Sequence, residues 1–201
     1  HTGTPGYSNI DSVDVRPRAN VKNGFTTSNQ VVCINTVPLT ITPNSPVGLL
    51  YSWYKLTPSS SVYEPIVGQQ NNTSPTLPVS AIPTNVVGIT YYRVIASYGT
   101  DCPADTASTK VTVRPDDVIT LSSTAGTNSQ AVCINNPIVN ITYATTTATG
   151  ATVIGLPTGV TYSWASNVLT ISGTPTVAGN YTYTATTTGG CSPATITGTI
   201  L

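Results

Sequence analysis

The chain has 201 residues, of which only 7 % are charged, and its seven Lys and Arg balance seven Asp and Glu. That balance leaves no basic stripe for a nucleic-acid backbone and no acidic tail. No apolar run approaches the roughly 18 residues that a membrane-crossing helix needs.

Threonine, with 38 residues, takes the place of the missing charge. It is β-branched and favours strands, and its hydroxyl wets an outer face without charge. This is the composition of an all-β protein on the outside of a cell. With no methionine and no secretory leader at its start, the sequence reads as an excerpt from a longer precursor.

In chain order, residues 1–17 end on VDVRP (Val13–Pro17) and read as the last strand of a preceding repeat. QVVCIN (Gln30–Asn35) is an early strand, followed by LLYSWYKL and VYEPIV. TYYRVIAS alternates, with Tyr92, Val94 and Ala96 inward against Tyr91, Arg93 and Ile95. TKVTVRP, QAVCIN (Gln130–Asn135), VNITYATT, VTYSWA and VLTIS come next. In NYTYTATTT, Tyr181, Tyr183 and Ala185 oppose Thr182, Thr184 and Thr186, and TITGTIL ends the chain. Clusters such as PNSPVG, GQQNNTSP and GTPTVAG punctuate these runs. Helical spacing is never sustained over three turns, so the expected architecture is a β-sandwich.

The chain repeats itself. VDVRP lies over VTVRP (Val111–Pro115), which nearly aligns QVVCIN with QAVCIN. Downstream, Tyr51–Trp53 and Tyr162–Trp164 both read YSW. Cys102-Pro103-Ala104 matches Cys191-Ser192-Pro193-Ala194 before the last strand. The expected domains are 18–115 and 116–201, in tandem, cut from a longer array. Between Val113 and Val118 stand only four residues, spanning roughly 13–14 Å when extended. Pro115 stiffens this joint, so an elongated, monomeric rod is expected.

Cys33, Cys102, Cys133 and Cys191 fall two per repeat and allow three connectivities. Pairing within repeats, Cys33 with Cys102 and Cys133 with Cys191, is the one that lets each copy fold alone. Closing such loops stabilises each domain by roughly 4 kcal/mol in the chain-entropy model. A metal or redox site is the weaker reading, because no CxxC occurs and the sole histidine is His1. Disulfides in turn imply an oxidising compartment. Trp53, Trp164, Tyr92 and Tyr183 are expected in the cores, since aromatics amid alternating strands usually are. Exposed, Trp53 and Trp164 with Tyr51 and Tyr162 would instead form sugar-stacking pairs.

Trp53 on a strand between two cysteines resembles immunoglobulin domains, although Cys102 follows the Tyr-bearing strand rather than lying within it. The second repeat, LPTGVTYSWASNVLTISGTPTVAGNYTYTATTT, resembles the bacterial putative-Ig repeat. Leu156, Pro157, Gly159, Leu169, Ile171, Ser172, Gly173 to Thr176, Ala178, Gly179 and Tyr181 match its pattern. The first repeat lacks GTPT and is similar to PKD or Ig-like surface modules. Thr-rich tandem copies of this kind look most like the cell-surface adhesins of gliding Bacteroidetes, of the SprB type. The likeness covers residues 118–201, and 19–115 in outline. It implies two Ig-like sandwiches in the stalk of a secreted adhesin, exported by the type IX system and acting in gliding. Neighbouring repeats, surface polysaccharide or the substratum would be its partners.

Catalysis has no platform here. A nucleophile needs a base beside it, and carboxylate pairs must face one cleft. Glu64 is the only glutamate, and the six aspartates sit at strand ends or in turns. No Gly-rich loop leads from a strand into a helix to cradle phosphate. Asp116 and Asp117 at the joint, and Asp101 and Asp105 around Cys102, offer the oxygen ligands that calcium takes. A calcium site usually needs three or more acids, and a solvated turn is the plainer reading. No other cofactor is implied. Asp11-Ser12-Val13 and Asp105-Thr106-Ala107 match a Bacteroidetes O-glycosylation pattern. Asn71-Asn72-Thr73, Asn140-Ile141-Thr142 and Asn180-Tyr181-Thr182 match the N-glycosylation pattern, all in a Thr-rich chain where three-letter matches arise by chance. The alternative function is an accessory carbohydrate-binding module of a secreted hydrolase, which a line of exposed aromatics would reveal.

Overall fold

A computed structural model of the chain describes residues 19–21, 24–44, 50–98 and 103–201. The strand expected within residues 1–17, the Asp11-Ser12-Val13 triplet, Asp101 and Cys102 lie outside the described residues.

The strands are β1 (Gln30–Cys33), β2 (Leu50–Leu56), β3 (Glu64–Pro65), β4 (Gly88–Ser97), β5 (Asp105–Arg114), β6 (Val118–Leu121) and β7 (Ser129–Gln130). β8 (Ile141–Thr146), β9 (Gly150–Ile154), β10 (Val160–Ala165), β11 (Val168–Gly173), β12 (Tyr181–Thr188) and β13 (Thr195–Ile200) follow, and a 3-10 turn occupies Val79–Ala81. They form a five-stranded sheet in the order β1-β5-β4-β2-β3 and two four-stranded sheets, β10-β11-β8-β6 and β7-β13-β12-β9. The result is all-β, with two tandem immunoglobulin-like sandwiches.

Described residues gather into two compact units, one from the segments up to 29, 39–82 and 90–110, the other from 30–38, 83–89 and 111–201. These units cut across the sequence repeats. β1, with Cys33, groups with the second unit because it runs parallel to the far end of β5, Gln30 opposite Val111 and Cys33 opposite Arg114.

In the first unit the alternation of TYYRVIAS holds, and Tyr92, Val94 and Ala96 are sealed from solvent. Trp53 on β2 is fully buried opposite Val94, with the Phe25 ring 6.1 Å away and its Nε1 donating to the Pro75 carbonyl at 3.1 Å. Phe25 belongs to a layer built from isolated bridges, Phe25 with Pro43 and Ile41 with Leu77, rather than from long strands.

The second sandwich buries Ile141, Tyr143, Leu169, Ile171, Tyr183 and Ala185 between its two sheets. β10 and β11 form a hairpin whose two-residue turn puts Ser166 and Asn167 at φ 48° and 62°, the primed geometry that suits strand twist. At the hairpin's other end, Gly159 (φ 92°) and Gly173 (φ 133°) lie face to face, and a Cβ on either would collide with backbone. There the Thr174 N–H donates to the Gly159 carbonyl at 3.0 Å, and the Thr176 N–H to that of Thr158 at 2.9 Å. This close pairing is the physical content of the LP-x-G and GTPT motifs.

Two expectations need correction. The YSW triplets are not structural counterparts. Tyr51–Trp53 lies on β2, paired on both sides, whereas Tyr162–Trp164 lies on β10, the edge of a different kind of sheet. The counterpart of β2 is β9 (GATVI), a short strand outside the expected set that pairs with β12 as β2 pairs with β4. In consequence Trp164 is only half-buried. It stands opposite Leu169 and packs against the core from an edge strand, and its Nε1 donates to Thr145 Oγ1 at 3.1 Å.

Candidate functional site

The chemistry of this chain is concentrated where β5 ends, at the joint between the sequence repeats. QVVCIN does two things there. Its first four residues are the strand β1, and its last two begin a tight turn. The Ile34 N–H donates to the Arg114 carbonyl at 2.8 Å, which carries the ladder one residue further. The Thr36 N–H then closes on the Cys33 carbonyl at 3.1 Å, with Asn35 at φ 60°. Asparagine tolerates this left-handed conformation better than most residues. The Asn35 N–H reaches the Thr84 carbonyl at 3.0 Å.

QAVCIN repeats this geometry. The Asn136 N–H closes on the Cys133 carbonyl at 3.1 Å, Asn135 has φ 66°, and its N–H reaches the Pro175 carbonyl at 2.9 Å. Its strand, β7, likewise runs parallel to the last strand, with Gln130 opposite Ile200. The five shared letters therefore encode a strand end and a left-handed turn, with a cysteine at the corner.

The two cysteines differ in partner. Cys33 forms a disulfide with Cys191, Cα to Cα 5.4 Å, and Cys133 is an exposed free thiol. This overturns the pairing of Cys33 with Cys102 and of Cys133 with Cys191. The reason is spatial. The parallel register sets Cys33 beside Arg114, at the start of the joint, and Cys191 lies at the same place, its Sγ 3.9 Å from the Arg114 carbonyl.

Asp117 holds the Cys191 loop there. Its N–H donates to the Ser192 carbonyl at 3.2 Å, and its Oδ1 accepts from Thr147 Oγ1 at 3.1 Å. A Cβ at Gly190 would collide with the Asp117 carboxylate, so TGGCSP can pack on Asp117 only because a glycine stands there. Asp117 is buried, its Oδ2 without a hydrogen bond among the described residues, and Asp116 is exposed. The two neighbours do not converge, and among the described residues no three of His, Cys, Asp and Glu gather as a metal site would require. Asp105 is occupied elsewhere, accepting from the Val21 N–H at 3.0 Å. Among the described residues no helix is long and apolar enough to cross a membrane.

A family model described as a domain of unknown function, DUF8696, matches residues 22–115. No curated protein matches the sequence. Among solved structures the chain is similar to an I-band fragment of titin at 14 % identity and TM-score 0.53, covering 88 % of this chain and 64 % of that one. It is also similar to immunoglobulin domains 1–4 of Sidekick-1 at 9 % identity and TM-score 0.52, covering 88 % of this chain and 47 % of that one. The chain thus spans less than two thirds of the length of these structures, and at such identities the likeness is one of fold: immunoglobulin domains in tandem.

Proposed function

We propose that the chain is a repeat segment of a large secreted adhesin, a stalk that acts by length, stiffness and display rather than through a reaction. The observation that carries this reading is the Cys33–Cys191 bond, which fastens a strand of one sequence repeat to a loop of the next. A covalent tie at a short joint suits a load-bearing array, in which each repeat contacts mainly its neighbours. A stable disulfide also suits an extracellular setting. The Thr-rich repeats and their SprB-type likeness give the reading its finer form. In that form the stalk belongs to a cell-surface adhesin of gliding Bacteroidetes, exported by the type IX system, with the substratum or a surface polysaccharide gripped elsewhere in the protein. Small-angle scattering tests it: a stalk segment is an elongated monomer whose maximum dimension is unchanged by a calcium chelator. A compact particle would sink the reading.

One observation favours a carbohydrate-binding module instead. Tyr162 is 40 % exposed on the edge strand that also carries the half-buried Trp164. Trp53 is fully buried and offers no such platform in the first repeat. Retardation on polysaccharide affinity gels, lost in Tyr162→Ala, is the result this second reading requires.

A further inference from the structure

We propose that Cys133 is one half of a second joint bridge, closed by the loop cysteine of a further repeat that follows Leu201 in the same polypeptide. The inference rests on the array reading above and adds to it a rule of connection: the corner cysteine of each repeat pairs with the loop cysteine of the next.

Four observations converge. Cys33 and Cys133 occupy the same corner, each one residue before a left-handed turn whose carbonyl and amide contacts repeat in both copies. Cys33 ends, and Cys133 follows by three residues, a strand that runs parallel to the last strand of its sheet, Gln30 with Val111 and Gln130 with Ile200. The corner that is bridged is bridged forward, to the loop of the next sequence repeat, and not to its own. Finally, surroundings differ as they should if one corner is covered and the other awaits its cover. Cys33 and Ile34 are half-buried, whereas Cys133 is exposed and Ile134 is 48 % exposed. Ile134 lines a shallow apolar depression with Val132, Pro175, Val177 and Leu201, in which Val177 is 50 % exposed. A repeat seated there would cover apolar surface as it delivered its cysteine.

Closure is a thiol–disulfide exchange, with a low-molecular-weight or protein disulfide as oxidant. The Cys133 thiolate attacks one sulfur of the oxidant and releases the first thiol. The loop cysteine's thiolate then displaces the second from the mixed disulfide. Two protein thiols become one disulfide, and the oxidant leaves as two thiols carrying the two protons and two electrons.

The test lengthens the full chain. Because Gln130 pairs with Ile200 as Gln30 pairs with Val111, residues 113–201 are appended after Leu201 to restore the joint in register. The appended copy carries Cys133→Ser and the exposed marker Thr197→Ser. After refolding in a glutathione redox buffer and alkylation, chymotryptic peptides are mapped, since no Lys or Arg separates Cys133 from Cys191. The expected result is Cys133 joined to the marked Cys191 of the appended copy and Cys33 to the unmarked one. In the 201-residue parent, by contrast, Cys133 is alkylated. An alkylated Cys133 in the lengthened chain, a Cys133 bridge to the unmarked Cys191, or a Cys133–Cys133 dimer overturns the proposal. Any of these can occur while scattering still reports an elongated stalk, so the bridge and the stalk fail separately.

Discussion

The hydroxyls of Tyr143 and Tyr183 meet at 2.8 Å in the closed interior of the second sandwich, one from each sheet. Gly198 makes the meeting feasible: it stands opposite Tyr183, and a Cβ there would collide with the Tyr183 hydroxyl. Burial raises the pKa of both phenols, and the shared hydrogen bond raises Tyr183 further while pulling Tyr143 back.

Tyr143→Phe and Tyr183→Phe should each cost about 1–3 kcal/mol, because each leaves the surviving hydroxyl buried without a partner. Removing both should cost less than the sum, since no orphan remains. Denaturant melts of the two single variants and the double variant decide. Costs that simply add would show that the hydroxyls do not depend on one another.

Tyr92 is the contrasting case. Its hydroxyl is buried without a hydrogen-bond partner among the described residues, and burial pushes its pKa up to about 12. The folded state holds this proton more tightly than the unfolded chain, whose tyrosines titrate near 10. Stability from the shift is therefore intact below pH 10 and is lost as pH rises from about 10 to 12, with a limiting slope of about 1.4 kcal/mol per pH unit for the one proton. Tyr92→Phe should be neutral or stabilising at pH 7 and should flatten alkaline unfolding by that one proton. A wild-type slope in the variant would place the titration elsewhere.

The tryptophans should separate. Trp53→Ala empties a sealed site and is expected to cost about 3–5 kcal/mol. Trp164→Ala, on an edge strand with one face open, should cost clearly less, mainly its packing on Leu169 and its bond to Thr145. Equal losses in thermal or denaturant unfolding would mean that Trp164 contributes to its core as fully as Trp53 does.

The sandwich itself was legible because period-two burial is local. Tyr92, Val94 and Ala96, or Tyr183 and Ala185, announce an inward face within five residues. Glycines of LP-x-G and GTPT were legible as a pattern, although only their face-to-face pairing explains them. GATVI was not legible, being five residues with a glycine and no aromatic, made a strand by its partner β12. The YSW triplets misled because three letters fix neither the sheet nor the distance from its edge. Cysteine pairing was beyond the sequence for a related reason. Counting cysteines per repeat assumes that each copy closes on itself. The parallel register of β1 on β5 instead carries Cys33 to the joint, where Asp117 and Gly190 hold the Cys191 loop.

Loss of the bridge provides the last expected outcome. Cys33 and Cys191 are 158 residues apart, and for a chain that unfolds in one step the loop-entropy model assigns such a closure about 5 kcal/mol. If the second sandwich unfolds while β5 stays formed, Cys33 remains fixed beside Arg114. The flexible loop then shrinks to the 77 residues between Arg114 and Cys191, which still gives about 4.5 kcal/mol. The two routes differ little because closure entropy grows only logarithmically with length. Cys33→Ser with Cys191→Ser should therefore lower the second unfolding transition by up to about 4–5 kcal/mol, and a reducing agent should do the same to the parent. Cys133→Ser removes an exposed thiol with no bond to the described residues, and its effect should stay within about 0.5 kcal/mol. Calorimetry of the three proteins separates the alternatives. A large loss in Cys133→Ser would restore the within-repeat pairing, and an unchanged transition in the double variant would mean that the Cys33–Cys191 bond holds nothing.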